Sequence, residues 1–171
     1  LFFGYIRDYK GLTILLNSIP FLNKKHEIKL IIAGEFYQSE IKTINLVEKL
    51  GISDQVIFFN EFISDDEVQL FFSACDVVIT PYKKATQSGI IQIAYHFDKP
   101  VISSNEGGLS EYIIDNVTGI LVDPCTPAKL AQSLNDYYSL NKKQKFNDAI
   151  KKEKGKYSWQ SFTQQLVDFV K

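Results

Sequence analysis

Apolar residues along this chain fall into two kinds of pattern, short unbroken runs and longer stretches in which they recur every three or four positions. The unbroken runs are "LFFGYI", "IKLIIAG", "QVIFFNEF", "DVVITPY", "PVISS" and "TGILVD", rich in Ile, Val and Phe. Such runs predict strands buried on both faces, as parallel strands are, rather than half-exposed alternating ones. Between them lie helix patterns. Leu12, Leu15, Leu16, Ile19 and Leu22 share one face, and Ile41, Ile44, Leu46, Val47 and Leu50 another, closed by Gly51. Start signals accompany them: Ser64 to Glu67 has capping-box form ahead of Val68, Leu70, Phe71 and Phe72, and Thr126-Pro127 is a cap followed by proline at the first helical position. Strict alternation of strand and helix with short connections implies right-handed crossovers, hence an α/β fold with one six-stranded parallel sheet covered on both faces. From Leu140 the pattern is helical, broken near Gly155. Ser158-Trp159-Gln160 begins a last helix carrying Phe162, Leu166, Val167 and Val170, which is free to pack on a partner domain.

In a parallel α/β sheet, ligands sit beyond the carboxyl ends of the strands. The loops to inspect are therefore "GYIRDYKG", "AGEFY", "NEFISD", "PYKKATQSG" and "SNEGGLSE". The fourth is the most suggestive. Thr86 or Ser88 suits a helix cap, Gly89 lets a ligand approach the backbone, Ile90, Ile91, Ile93, Ala94 and Phe97 give buried faces, and Pro100 stops the helix. With Gln87 these residues form a polar helix start whose unpaired N–H groups and positive dipole end suit an anion. Its bland alternative is an ordinary capped helix. The first loop holds Gly4, Arg7 and Lys10. A planar guanidinium fork and a mobile ammonium suit a diphosphate leaving group, although two cations in a surface loop are more often solvated charge. Gly107 and Gly108 permit unusual backbone angles or close approach, with Glu111 just behind. Gly34 ends the second run with Glu35 behind it, and Phe62 and Ile63 lie in "NEFISD".

Composition narrows the function. A chain of 171 residues with 45% hydrophobic and 23% charged residues supports one well-cored domain spanning positions 1–171. A net charge of -1 gives no global attraction to nucleic acid, so anion binding must be local. No run approaches a bilayer span. Cys75 and Cys125 lack metal-ligand spacing, and Cys75 reads as a small buried residue. His26 and His96 show no metal or catalytic partner, so no metal site is expected. Asn116-Val117-Thr118 matches a glycosylation acceptor, a short pattern with no secretory signal behind it. There is no GxGxxG after the first run, no P-loop lysine and no Ser/His/Asp arrangement. With no Met, and residue 1 already inside an apparent strand, the chain reads as a piece of a longer protein.

Taken in order, "FFGYIRDYKGLTILLNSI", "IKLIIAGE", "VIFFNEFISDDEVQLFFSACDVVITPY", "SGIIQIAYHFDKPVISSNEGGLSEYI" and "VTGILVDPCTPAKLAQSL" resemble the C-terminal, donor-binding half of GT-B glycosyltransferases, in the large retaining group 1 (family 4) type. The resemblance implies a Rossmann-like three-layer α/β/α domain. It implies a nucleotide-diphosphate sugar as donor, a UDP- or GDP-sugar foremost, with no further cofactor and no metal. It also implies an N-terminal acceptor domain elsewhere in the same protein, and a catalytic role at the diphosphate for Arg7 and Lys10. Arg7 stands two places later than the commonest family spacing, and the family's G-G-x-x-E falls on Gly107, Gly108 and Glu111. A pair of glutamates usual in the family falls on Ala85 and Ile93, which cannot accept a hydroxyl hydrogen bond through their side chains. Thr86, Gln87 and Ser88 could substitute, and helix starts of this type recur in the family, so an altered donor cradle is implied before a dead one. The family further implies sugar transfer with retention, in polysaccharide or glycoconjugate synthesis, in the cytoplasm or at the inner face of the membrane, with peripheral membrane attachment left to the other half. Such a half alone should bind donor without efficient turnover. The rivals are a non-catalytic nucleotide-sugar-binding module, a GT-B-like nucleotide-sugar epimerase and, more distantly, a flavodoxin-like signalling domain.

Overall fold

In the computed structural model, which describes residues 1–37, 39–157 and 159–170, every one of the six apolar runs contains a strand. These are β1 (Phe2–Phe3), β2 (Leu30–Ala33), β3 (Val56–Phe59), β4 (Val78–Thr80), β5 (Val101–Ser104) and β6 (Gly119–Val122). The helices are α1 (Leu12–Ser18), α2 (Ile41–Lys49), α3 (Asp65–Ala74), α4 (Gly89–His96), α5 (Pro127–Ser139), α6 (Lys142–Glu153) and α7 (Trp159–Val170).

All strand pairings are parallel. They form two three-stranded sheets, β1-β2-β3 and β4-β5-β6, which corrects the expectation of one six-stranded sheet. The cause lies at β1, which is two residues long. Among the described residues its edge is hydrogen-bonded to the β4 segment through Leu1 alone, whose nitrogen donates to the Val77 carbonyl at 2.9 Å and whose carbonyl accepts from the Ile79 N–H at 2.8 Å. One residue's pair of bonds joins the two sheets edge to edge without extending into a ladder.

Both sheet faces are covered, and the period of two along each strand divides the core. Phe2, Ile32, Ile79 and Ile102 enter one apolar cluster with Leu16 of α1 and Leu130 of α5. Phe3, Ala33, Val78 and Val101 enter the other with Phe72 of α3 and Ile91 of α4. Because successive residues point to opposite faces and each face is buried, the strands read as unbroken apolar runs. Phe72 is fully buried and meets Phe3 edge-on with ring centroids 5.0 Å apart.

Local signals fix the helix starts. The Ser64 N–H donates to the Glu67 carboxylate at 3.0 Å and the Ser64 hydroxyl does so at 2.6 Å, bonds that hold Glu67 below its ordinary pKa. The Thr126 hydroxyl accepts from the Lys129 N–H at 3.3 Å. Helix α1 is shorter than its apolar pattern, because Pro20 turns residues Ile19–Phe21 into a 3-10 turn. Only Val47 of α2 is fully buried, while Ile41 and Ile44 remain exposed on the flank of the molecule. Helix α6 is anchored by buried Phe146 and Ile150. Phe162, Leu166 and Val167 of α7 are exposed, and Ser158, where the sequence starts that helix, lies outside the described residues. Among the described residues no helix is long and apolar enough to cross a membrane.

Candidate functional site

The carboxyl ends of β1 and β4 hold a cation that the fold buries. After β1 the chain makes a 3-10 turn over Asp8–Lys10. Gly11 follows with φ 70, and a Cβ there would stand 1.9 Å from the Pro81 carbonyl oxygen, so only glycine lets the turn lie against the end of β4. The Lys83 N–H donates to the Tyr9 carbonyl at 2.7 Å, and the Lys83 ammonium holds both Asp8 oxygens at 2.9 Å. Lys10 is thereby pinned with only 8% of its surface exposed. Among the described residues its ammonium has neither a hydrogen bond nor an ion pair, and lies 6.0 Å from the Tyr82 ring centroid. Burial, reinforced by the Arg7 charge, pushes its pKa down to about 8. A buried, uncompensated ammonium is costly, and an anion in the same cavity removes the cost.

Facing Lys10 is the start of α4. Ser88 is its N-cap, extended at φ -143 and ψ 114, but the hydroxyl does not cap the helix. It lies instead 3.4 Å from the Tyr82 hydroxyl, whose pKa burial raises to about 12. The Gly89 and Ile90 N–H groups have no intrahelical partner by helix geometry, and they carry the positive end of the helix dipole. A Cβ on Gly89 would meet nothing, so the backbone borders open space. That space is a crevice of about 510 Å³, lined by Lys10, Tyr82, Thr86, Gln87, Ser88 and Gly89. Ala85 and Ile93, where the sequence lacks carboxylates, also line it, as does Ile90, so one wall is apolar.

Gly107 and Gly108 act from behind this loop. A Cβ on Gly107 would stand 1.8 Å from the Ala85 carbonyl oxygen, and one on Gly108 2.2 Å from that of Thr86. The third loop therefore buttresses the Thr-Gln-Ser-Gly segment, and Glu111 beside it is exposed.

Gly4, Gly34, Glu35, Phe62 and Ile63 converge on a narrow slot of about 130 Å³, joined by Phe3 and Tyr5. Gly34, at φ 131, lies so near Gly4 that a Cβ would stand 2.5 Å from the Gly4 carbonyl oxygen. A Cβ on Gly4 in turn would meet the Lys10 Nζ at 3.0 Å and the Ile90 Cδ1 at 3.3 Å. Gly4 is thus the shared wall between slot and crevice. Arg7 is not in either: its guanidinium carbon lies 4.4 Å from the Tyr37 ring centroid, on the far side of the turn from Lys10's cavity. Sequence reasoning missed Tyr9 and Tyr82 as crevice walls. Their only signal was position, within "GYIRDYKG" and "PYKKATQSG".

Of the remaining candidates, His26 packs on Tyr138 and lies 3.5 Å from the Ser139 hydroxyl, while His96 packs edge-on against Phe97. Thr118 is wholly buried, and its hydroxyl pairs with that of Tyr95 at 2.7 Å, so the acceptor-like tripeptide is structural. Cys75 is buried as expected.

The family model for "Glycosyl transferases group 1" matches residues 1–154. The chain belongs to this family. It is 30% identical over 174 residues to an uncharacterized glycosyltransferase of Methanocaldococcus jannaschii, an alignment covering 100% of this chain and 44% of that protein. It is 31% identical over 144 residues to the D-inositol 3-phosphate glycosyltransferase of Paenarthrobacter aurescens, covering 81% of this chain and 35% of the relative. The chain spans about half the length of the first of these curated relatives, or less. In fold it is similar to the crystal structure of Anabaena HepE in complex with UDP, with a TM-score of 0.83 and 21% identity over 99% of this chain and 48% of that one. The chain therefore carries a Rossmann-like α/β fold within this family.

Proposed function

We propose that this chain is the donor-binding half of an enzyme that moves a sugar from a nucleoside diphosphate sugar to an acceptor hydroxyl with retention of configuration, in polysaccharide or glycoconjugate synthesis. The observation that carries the reading is Lys10, buried without a counter-ion and facing the open start of α4 across the crevice. The diphosphate lies between the Lys10 ammonium and the Gly89 and Ile90 N–H groups, with Thr86, Gln87 and Ser88 supplying side-chain donors. The nucleoside runs past Gly4 and Ile90 and sets its base in the slot of Gly34, Glu35, Phe62 and Ile63. As the bond from the sugar C1 to the diphosphate oxygen breaks, negative charge grows on the leaving group where these fixed donors already point, and the acceptor attacks the same face. Arg7 adds positive potential from beyond the turn. The structural relative that holds UDP supports a uridine nucleotide as the first to test. Gly107, Gly108 and Glu111 keep the cradle in shape, and acceptor choice falls to the remainder of the protein.

Calorimetric titration of the protein with UDP, GDP, ADP and CDP at fixed salt tests this. Selective binding of one diphosphate, weakened by Lys10→Ala, is the expected result. A folded protein that binds none of them, also when tested at full length, would mean that the Thr-Gln-Ser-Gly variant has given up the nucleotide and would overturn the donor reading.

A further inference from the structure

On the far side of the Asp8–Lys10 turn from the crevice lies a separate cavity of about 130 Å³, between the starts of α1 and α2. Two cationic residues line it from different elements, Arg7 from the loop after β1 and Lys42 from the first turn of α2, and Thr13, Ser39 and Thr43 line it with hydroxyl-bearing side chains. The loops that shape it are tied together: the Ile6 N–H donates to the Glu35 carbonyl at 2.8 Å, and the Tyr37 N–H to the Ile6 carbonyl at 3.1 Å. Arg7 is held by its stacking on Tyr37, with the guanidinium carbon 4.4 Å from the ring centroid.

The charge in this cavity is unbalanced. Asp8 is the one carboxylate among its lining residues, and both its oxygens are taken by the Lys83 ammonium at 2.9 Å. Among the described residues neither Arg7 nor Lys42 has an ion-pair partner. Scattered exposed cations are ordinary and well solvated. Two that line one concavity with Ile6 and Phe36, together with three hydroxyl-bearing residues, concentrate positive potential on a volume suited to a single tetrahedral oxyanion. A guanidinium fork matches two of its oxygens, while the ammonium and hydroxyls reach the others.

We propose that this cavity binds a phosphoryl group belonging to a ligand other than the donor nucleotide, either free phosphate or a phosphomonoester. Lys10 serves the crevice on one side of the turn, and Arg7 with Lys42 serves this cavity on the other. The proposal does not depend on the donor reading, since the two cavities share no lining residue.

The test is a titration followed by amide NMR shifts, with inorganic phosphate and separately with glycerol 3-phosphate, at constant ionic strength and with UDP absent or saturating. The expected result is saturable binding with shifts at Thr13, Ser39 and Thr43 that persists at saturating UDP and is weakened about tenfold or more by Lys42→Gln and by Arg7→Gln. Lys42→Gln alters an exposed side chain, and Arg7→Lys, which keeps the charge without the fork, should fall between. Binding of glycerol 3-phosphate as tight as that of phosphate identifies the ligand as an organic phosphomonoester; binding of inorganic phosphate alone identifies the free ion. No saturable binding of either, or competition of both with UDP, overturns the proposal. UDP affinity of Lys42→Gln is expected to stay within twofold of wild type, so failure of the donor reading and failure of this one appear in different titrations.

Discussion

The two edges of the parallel sheets carry cavities of nearly equal size and opposite character. At the carboxyl ends of the strands lies the crevice of about 510 Å³, with Lys10, Ser88 and the start of α4. At the amino ends lies a cavity of about 520 Å³, framed by Leu1, Leu30, Val77, Leu134 and Tyr138. Volume does not separate them. Polar bookkeeping does: at the second edge the Lys29 ammonium donates to the Asp54 carbonyl at 2.8 Å and the Leu1 nitrogen to the Val77 carbonyl at 2.9 Å. At the first edge a largely buried ammonium has no hydrogen-bond or ion-pair partner among the described residues, and a helix start borders the same space with its free N–H groups. A ligand site in this fold is recognised by what the protein leaves unpaired, and the α/β architecture leaves it unpaired at the carboxyl edge.

The sharpest way to break this contrast is substitution at both edges. Lys10→Ala should weaken UDP binding by about tenfold to a hundredfold, the range of a hydrogen bond to a charged group, whereas Lys29→Ala should leave it within twofold; both are read by calorimetry. An equal loss from the two variants would dissolve the distinction. Stability should move the other way. Lys10→Met keeps the stem and removes the unpaired charge, so the ligand-free variant is expected to melt a few degrees higher, about 2–4 °C for each kcal/mol regained. A lower Tm would mean that the buried ammonium stabilises the fold after all.

Next in size is the buttress behind the crevice. Gly108→Ala drives a Cβ against the Thr86 carbonyl, which should cost about 1–3 kcal/mol of stability by denaturant titration and weaken UDP binding with it. Gly155→Ala, where a Cβ meets nothing, is the control and should not destabilise.

A pH series gives a smaller, graded effect. In the free protein Lys10 loses its charge near pH 8, so UDP affinity should be full below that point and decline as pH rises through it. Bound diphosphate holds the proton, so the decline for the complex begins at higher pH. For stability the sign is reversed. Between about 8 and the ordinary 10.5 the unfolded chain keeps the proton that the folded one has released, so the destabilisation by charged Lys10 is relieved as pH rises across that window. The smallest effect is expected from Tyr82→Phe, which removes the hydroxyl beside Ser88 and should change UDP affinity by about 0.5–1.5 kcal/mol.

Much of the fold was legible because its determinants are local. The six apolar runs, the Ser64 to Glu67 box and the Thr126-Pro127 cap each act within a few residues, and each appears where the sequence places it. The failures are non-local. Ile41 and Ile44 have the right period for a buried face, yet among the described residues no element covers them on that flank of α2. The single sheet became two because pairing between β1 and β4 depends on one residue. In the site, the Thr-Gln-Ser-Gly helix start and Lys10 were legible as polar residues above strand ends. Arg7 looks like Lys10's companion in sequence, but Tyr37, from the next loop, draws its guanidinium away.

The sequence by itself determined a parallel α/β protein with its chemistry in the loops after the strands, since hydrophobic period, caps and chain order carry that information without reference to distant residues. Only the tertiary structure decided which polar residues are buried and which are paired. Lys10 is enclosed because Gly11 lies on the Pro81 carbonyl and Lys83 ties down Asp8, contacts across about seventy positions of chain. Burial and pairing set the electrostatic energy of a charge, and both are properties of the packed molecule.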